Sequence, residues 1–213
     1  MKNQTIRREL LIIILTVMPI VWLLINWSAL PDQMPIHFDF DGEPNGYGSK
    51  LVFIILPIGL YLLMLLLPII DPRKKNYEIF SGTYFKLRII LTAFIGMIDS
   101  VILYNTLHGI DKMGIVVPIS VFLLFTILGN YMGNFRPNYF VGIKVPWTLN
   151  SDEVWIKTHR FAGKLWFWGG LSGIVVLFFV KNPMTVMLPI LLIIIVIPII
   201  YSYIIYQQIA NNQ

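Results

Sequence analysis

His37, His108 and His159 are the only imidazoles in this chain, and no Cys accompanies them, so thiolate nucleophiles, thiolate metal sites and disulfides are excluded. His37, Asp39 and Asp41 alternate with apolar residues, and in an extended strand they share one face. That face could hold a hard or borderline cation. The alternative is a solvated polar face over Ile36, Phe38 and Phe40, since the Gly and Glu spacing of an EF-hand loop is missing. Asp99 is a lone acid inside a long apolar run. An acid near mid-membrane is costly enough to count as a functional candidate. It could hydrogen-bond to Asn26, Asn130 or Tyr104, or serve a proton path, although a lone acid with no second titrating group makes a poor relay. His159 could titrate or catalyse, but no nucleophile or second ligand stands beside it, and interfacial contact is the favoured reading. Walker, Rossmann, zincin and nucleophile-elbow patterns are absent, so neither an enzyme nor a cofactor is expected.

The elements that must position these residues are membrane helices. Of 213 residues, 57% are hydrophobic and 13% charged, against about one quarter charged in soluble domains. Six apolar runs predict spans near residues 10–29, 51–70, 87–107, 115–132, 165–180 and 184–206. The fifth is short, and the last carries Pro189 and Pro198, which membrane helices tolerate. The fold class is therefore all-α: a polytopic membrane protein with six transmembrane helices, a small extracellular loop domain with strand character, and a cytoplasmic amphipathic helix. In the loop at 30–49, Pro44-Asn45-Gly46 predicts the turn, and Ser49 is placed to cap the second helix, which Asp71-Pro72 ends.

The basic residues fix a direction. Lys2, Arg7 and Arg8 lie at the N-terminus, five more surround the linker after the second helix, and five fall between Arg136 and Lys164. Only Lys50, Lys112 and Lys181 fall on the other side. The positive-inside rule then puts both termini and the 134–164 stretch in the cytoplasm, and the His37 loop outside. The net charge of +5 follows from this arrangement and does not argue for nucleic acid.

Residues 142–164 form the longest polar interval. Pro146 keeps Val145 extended, and Asn150 with Glu153 has the form of an N-cap with a reciprocal carboxylate, so a helix is expected from about Ser151. Val154, Trp155, Thr158, Ala162 and Leu165 share one face, opposite Lys157, Arg160 and Lys164. Such a helix lies in the headgroup layer with its cations toward phosphates or an acidic protein partner. Trp147 and Trp155 are interface anchors or the packing centre of the loop. Gly129 with Gly133, and Gly169 with Gly173, have the GxxxG spacing that would pack the helices flanking the loop.

The string Val-Gly-Ile-Lys-Val-Pro-Trp-Thr-Leu from Val141, then Glu-Val-Trp, then His-Arg-Phe-Ala-Gly-Lys, resembles the signature of the SdpI-type immunity proteins. A looser block, from Leu30-Pro31 through Met34-Pro35-Ile36-His37 to Gly42 and Lys50, resembles the domain of unknown function that precedes the signature there. The resemblance implies a bacterial membrane protein that protects a toxin producer from its membrane-active, sporulation-delaying peptide. It further implies, in members that signal, a transcriptional repressor held at the cytoplasmic face.

The structural or partner-binding candidates in the signature loop are Asn138, Gly142, Lys144, Pro146, Trp147, Thr148, Trp155, His159, Arg160 and Lys164. Those of the outer loop, for toxin or ion contact, are Pro31, Pro35, His37, Asp39, Asp41 and Gly42. The expected divisions are residues 1–70, a helix pair with its outer loop; 71–133, a linker and two helices; 134–164, the signature loop; and 165–213, the last two helices. Besides the toxin peptide and the repressor, only membrane lipids are expected as partners. The alternatives are a small-solute or ion transporter using Asp99, and a membrane enzyme or metal-dependent sensor built on His37, Asp39 and Asp41.

Overall fold

The computed structural model describes residues 2–39, 41–109 and 113–211; Phe40 and Lys112 of the readings above lie outside the described residues. Eight helices and one hairpin are described. The order is α1 (Lys2–Ile25), β1 (Gln33–Phe38), β2 (Pro44–Ser49), α2 (Val52–Ile70), α3 (Lys74–Ile79), α4 (Ser81–His108), α5 (Met113–Met132), α6 (Pro146–Asn150), α7 (Asp152–Leu177) and α8 (Pro183–Asn211).

Within α1, α2, α4, α5 and α8 lie five helical stretches long and apolar enough to cross a membrane. Helices are favoured there because hydrocarbon offers backbone groups no partner outside the chain. Hydroxyls follow the same logic: Thr16, Ser100, Thr106, Ser120 and Thr126 each donate to the carbonyl four residues back. Large apolar side chains on the outer faces, such as Ile55, Ile69 and Phe178, are exposed, as suits a bundle with lipid around it.

The expected short fifth span is not a separate helix. α7 runs unbroken from the polar stretch into the apolar one. Residues 165–177 rise about 20 Å at 1.5 Å per residue, less than the roughly 30 Å of a hydrocarbon core.

Two apolar clusters hold the ends of the bundle. Leu23, Leu30, Met34, Phe53, Ile102, Leu103 and Met113 pack beneath the hairpin. At the other end, Met64, Leu67, Tyr77, Phe80, Tyr84, Leu87, Met132, Phe135 and Ala162 join α2, α3, α4, α5 and α7. As read from the sequence, α2 ends at Ile70, with Asp71 extended (φ −68°, ψ 127°) ahead of Pro72. Ser49 does accept the Leu51 N–H at 3.3 Å, although Leu51 rather than Ser49 occupies the cap position.

The hairpin departs from its expected form. Its turn is at Asp39–Glu43, not at Pro44-Asn45-Gly46, which lie inside β2. Asp39 sets the turn: its Oδ1 accepts the N–H groups of Asp41 (2.9 Å) and Glu43 (3.0 Å), and its own N–H donates to the Glu43 carbonyl. Gly42 closes it at φ 87°, pressed so close to Gly114 that a Cβ would sit 2.5 Å from the Gly114 Cα. The register slips between Pro35 and His37, where proline has no N–H to pair. The alternation shifts with it: Met34 is fully buried, whereas Ile36 is exposed. His37, Asp39 and Asp41 consequently do not share a strand face.

Candidate functional site

The signature stretch folds onto a linker some seventy residues earlier in the chain. Asp71, buried at the end of α2, accepts the Arg73 N–H at 2.7 Å, and its other oxygen accepts the Tyr139 N–H (2.9 Å) and the Tyr77 hydroxyl (3.2 Å). Burial, with the Asp71 carboxylate beside it, pushes the Tyr77 hydroxyl well above its ordinary range, so Tyr77 stays a proton donor. Asn138 is the hub of the loop. Its amide donates to the carbonyls of Arg136 and Val141, and its oxygen accepts the N–H groups of Phe140 (3.0 Å) and Val141 (2.6 Å). Asn76 donates to the Pro137 carbonyl at 2.6 Å, and Arg73 reaches both the Leu149 carbonyl (2.7 Å) and Asp152 (3.2 Å). Asp71, Arg73 and Asn76 were not among the residues expected in the site. The one signal for Asp71 and Arg73 was the polar Asp-Pro-Arg run at a helix end, and Asn76 carried none.

Further along, Thr148 is fully buried: its hydroxyl accepts the Val145 N–H and donates to the Ile143 carbonyl, fixing α6 behind Pro146. Ser151, one residue past the expected Asn150, caps α7 by accepting the Val154 N–H. Glu153 does not close a capping box but pairs with Lys157 at 2.7 Å. Trp147 is tied to α8, donating its indole N–H to the Ser202 hydroxyl at 2.7 Å with its ring against Tyr203.

Trp155 and His159 do not present their side chains to lipid headgroups, because both are fully buried within the protein. Val154, Thr158 and Ala162 are buried with them, while Lys157, Arg160 and Lys164 point outward, as the helical spacing required. The Trp155 indole donates to the Phe135 carbonyl at 2.9 Å and stacks on His159, with ring centres 4.0 Å apart. His159 Nε2 accepts the Ile143 N–H at 3.0 Å, and Nδ1 lies 2.8 Å from the Trp155 carbonyl, to which it donates. Both ring nitrogens are thus engaged within the loop, and the imidazole has neither a free lone pair for a metal nor one for a substrate proton. Burial pulls its pKa down to about 4, against the raising effect of the Trp155 carbonyl. Gly142 makes the contact feasible: at φ 117° it lies where a Cβ would collide with His159 Nε2.

The small-residue patterns work differently from their expected pairing. Gly129 faces α7 so closely that a Cβ would stand 2.5 Å from the Phe167 nitrogen, and Gly163, Gly170 and Gly173 complete the contact from the α7 side. Gly169 instead faces Ile194 of α8, so it does not act with Gly173 against α5. One helical position moves a residue about 100°, which separates Gly169 from Gly170.

At the hairpin end, His37 Nδ1 lies 2.5 Å from Asn45 Oδ1, and Asp41 accepts the Asn182 amide at 2.8 Å, joining the hairpin to the turn before α8. Among the described residues no three His, Asp or Glu side chains converge on a point that could hold a metal ion, so His37, Asp39 and Asp41 are not brought together as a ligand set. Lys50, buried at the base of β2, donates to the carbonyls of Trp27 and Leu30 and pairs with Asp32 at 3.0 Å. Pro31 and Pro35 line a small cleft beneath Tyr47. Beneath the hairpin on another side lies a cavity of about 580 Å³, walled by Ile36, Phe38, Ile98, Val117, Met184 and Met187, with His37 and Asn45 at its polar edge.

Asp99 is buried, and its Oδ2 has no hydrogen-bond partner among the described residues. The partners expected for it are engaged elsewhere: Asn26 donates to the Trp22 carbonyl, Asn130 to the Thr126 carbonyl, and Tyr104 stacks on His108.

Residues 134–202 match the SdpI/YfhL protein family, and residues 14–61 match a domain of unknown function, DUF1648. Over an alignment of 212 residues the chain is 23% identical to a protein named "Immunity protein SdpI" from Bacillus subtilis (strain 168), covering 97% of this chain and all of that one. No solved structure matches. The chain is thus a membrane protein whose residues 134–202 are similar to the SdpI/YfhL protein family and whose residues 14–61 are similar to DUF1648.

Proposed function

We propose that this chain is an immunity protein of a bacterial plasma membrane, protecting its cell against a membrane-active toxin peptide. The observation that carries the reading is its likeness to the Bacillus subtilis immunity protein along 97% of this chain and all of that one. The unit formed by residues 1–70, with its hairpin outside, meets the toxin; residues 134–164 form the inner unit. The linker and two helices of residues 71–133 and the last two helices of residues 165–213 complete the bundle in a six-span arrangement, with both termini in the cytoplasm.

The cavity beneath the hairpin suits an apolar peptide segment arriving from the outer leaflet. Its walls are aliphatic, methionine can repack around varied shapes, and His37 and Asn45 offer polar contacts at the edge. α8 contributes Met184 and Met187 to that cavity and Ser202 to the Trp147 contact at the opposite end. A peptide that shifts α8 would therefore disturb the signature loop. There, exposed Tyr139, Lys144, Arg160 and Lys164 present a basic face suited to an acidic surface on a repressor.

The test is protection. Toxin-sensitive cells expressing the chain should survive exposure to the cognate peptide. Val117→Trp with Met187→Trp, which fills the cavity, should abolish survival at unchanged membrane levels. Full protection by the filled variant would remove the cavity from the reading, and no protection by the unaltered chain against any toxin encoded beside it would remove immunity itself.

A further inference from the structure

At the end of the bundle that carries α3, a different cleft of about 740 Å³ opens between α1, α2, α3 and α4, within the roughly 300–1,000 Å³ range of ligand sites. Its wall is hydrocarbon, made by Met64, Leu65 and Pro68 of α2 and Phe85 of α4. Its edge is charged. Arg88 is already engaged, forked onto Glu9 with contacts of 2.5 and 2.8 Å. Arg8 lies over the Phe85 ring, 4.9 Å from its centre. Arg8, Lys74 and Lys75 are exposed, and among the described residues none of them forms an ion pair. Glu78 is the one unpaired acid on the edge, so the three free cations dominate it.

The cleft sits where the last turns of α2 and the first turns of α4 leave the apolar bundle for the polar α3 linker. A rim of cations above a hydrocarbon wall at that depth fits a phosphate borne on acyl chains. We propose that this cleft binds the headgroup phosphate of an anionic diacyl lipid, with Arg8, Lys74 and Lys75 around the phosphate and an acyl chain along Met64, Leu65 and Pro68. Free phosphate would satisfy the cations but leave the wall in contact with water, so the lipid is the favoured source. The Glu9–Arg88 pair removes the repulsion that an unpaired Glu9 would impose beneath the phosphate.

The full-length chain in neutral detergent is titrated with phosphatidylglycerol, with phosphatidylcholine of the same acyl chains, and with inorganic phosphate, reading bound lipid by native mass spectrometry and the unfolding midpoint by heating. Phosphatidylglycerol should bind and raise the midpoint, with phosphatidylcholine at least tenfold weaker. Each cation near a membrane surface contributes about a five-fold effect, so Arg8→Gln, Lys74→Gln and Lys75→Gln together should weaken binding on the order of a hundred-fold. The matched control, Lys86→Gln, Arg136→Gln and Lys181→Gln, three exposed cations outside the cleft, should leave it within about two-fold. Leu65→Trp, which blocks the wall and keeps every cation, should also weaken it, and this serves if the triple variant fails to fold. Equal binding of the two lipids, or equal losses from the two triple variants, would overturn the site. Stabilisation by inorganic phosphate as strong as by phosphatidylglycerol would overturn the lipid as its ligand.

Discussion

Protonating His159 means breaking one of two short hydrogen bonds, because the Nε2 that would gain the proton already accepts the Ile143 N–H. The cost appears as pH-dependent stability. With a folded pKa near 4 against an ordinary 6.5, the unfolded chain binds the proton more readily, so stability is complete above about pH 6.5 and is lost as pH falls toward 4. At pH 4.5 the loss from this residue should be about 2–3 kcal/mol. The unfolding midpoint in detergent should drop between pH 6.5 and 4.5, and His159→Gln, though less stable throughout, should drop much less. An identical pH slope in the two proteins would assign the acid sensitivity to other groups. The sequence disclosed His159 as a residue of interest but pointed to a surface role, because Arg160 and Lys164 lie close by. Its burial depends on Gly142, whose positive φ brings the loop backbone against the ring, and no local pattern announces a contact sixteen residues apart.

α5 and α7 meet across glycine, and the consequence can be separated from the motif. Both Gly129 and Gly133 belong to one GxxxG pattern, yet a methyl at Gly129 would collide with the α7 backbone, whereas one at Gly133 would meet the flexible Arg160 side chain at 3.4 Å. Gly129→Ala should therefore force the helices apart and cost roughly 1–3 kcal/mol, the range for overpacking. Gly133→Ala should be close to neutral, within about 0.5 kcal/mol, as surface changes usually are. Thermal unfolding of the two variants reads the difference, and equal effects would show that spacing rather than contact governs the interface. The apolar runs were legible as helices because lipid leaves the backbone few options, and Asp71-Pro72 ended α2 where expected. Less legible was the partition of the glycines, since Gly163 and Gly170 fall outside any GxxxG spacing with Gly169 or Gly173. The hairpin turn was misplaced for a similar reason: Pro44-Asn45-Gly46 carries strong turn chemistry, but the Asp39 carboxylate and the Gly42–Gly114 contact select the earlier position.

At the scale of the molecule, the two ends of the bundle differ in charge as well as in structure. The hairpin end carries Lys50, which is buried, and Lys181, whereas the end bearing α3 and the signature loop carries Arg8, Arg73, Lys74, Lys75, Arg136, Lys144, Lys157, Arg160 and Lys164. Basic loops are retained on the cytoplasmic side, so this asymmetry predicts the hairpin outside. The chain's lack of Cys makes a clean test available. Tyr47, 58% exposed on the hairpin, and Asn150, exposed at the end of α6, can each be changed to Cys alone. In intact cells a membrane-impermeant maleimide should label Tyr47→Cys, and it should label Asn150→Cys only after the membrane is opened. The reverse pattern would invert the protein, placing the cavity beneath the hairpin on the inner leaflet, where a toxin arriving from outside would have to cross the bilayer before reaching it.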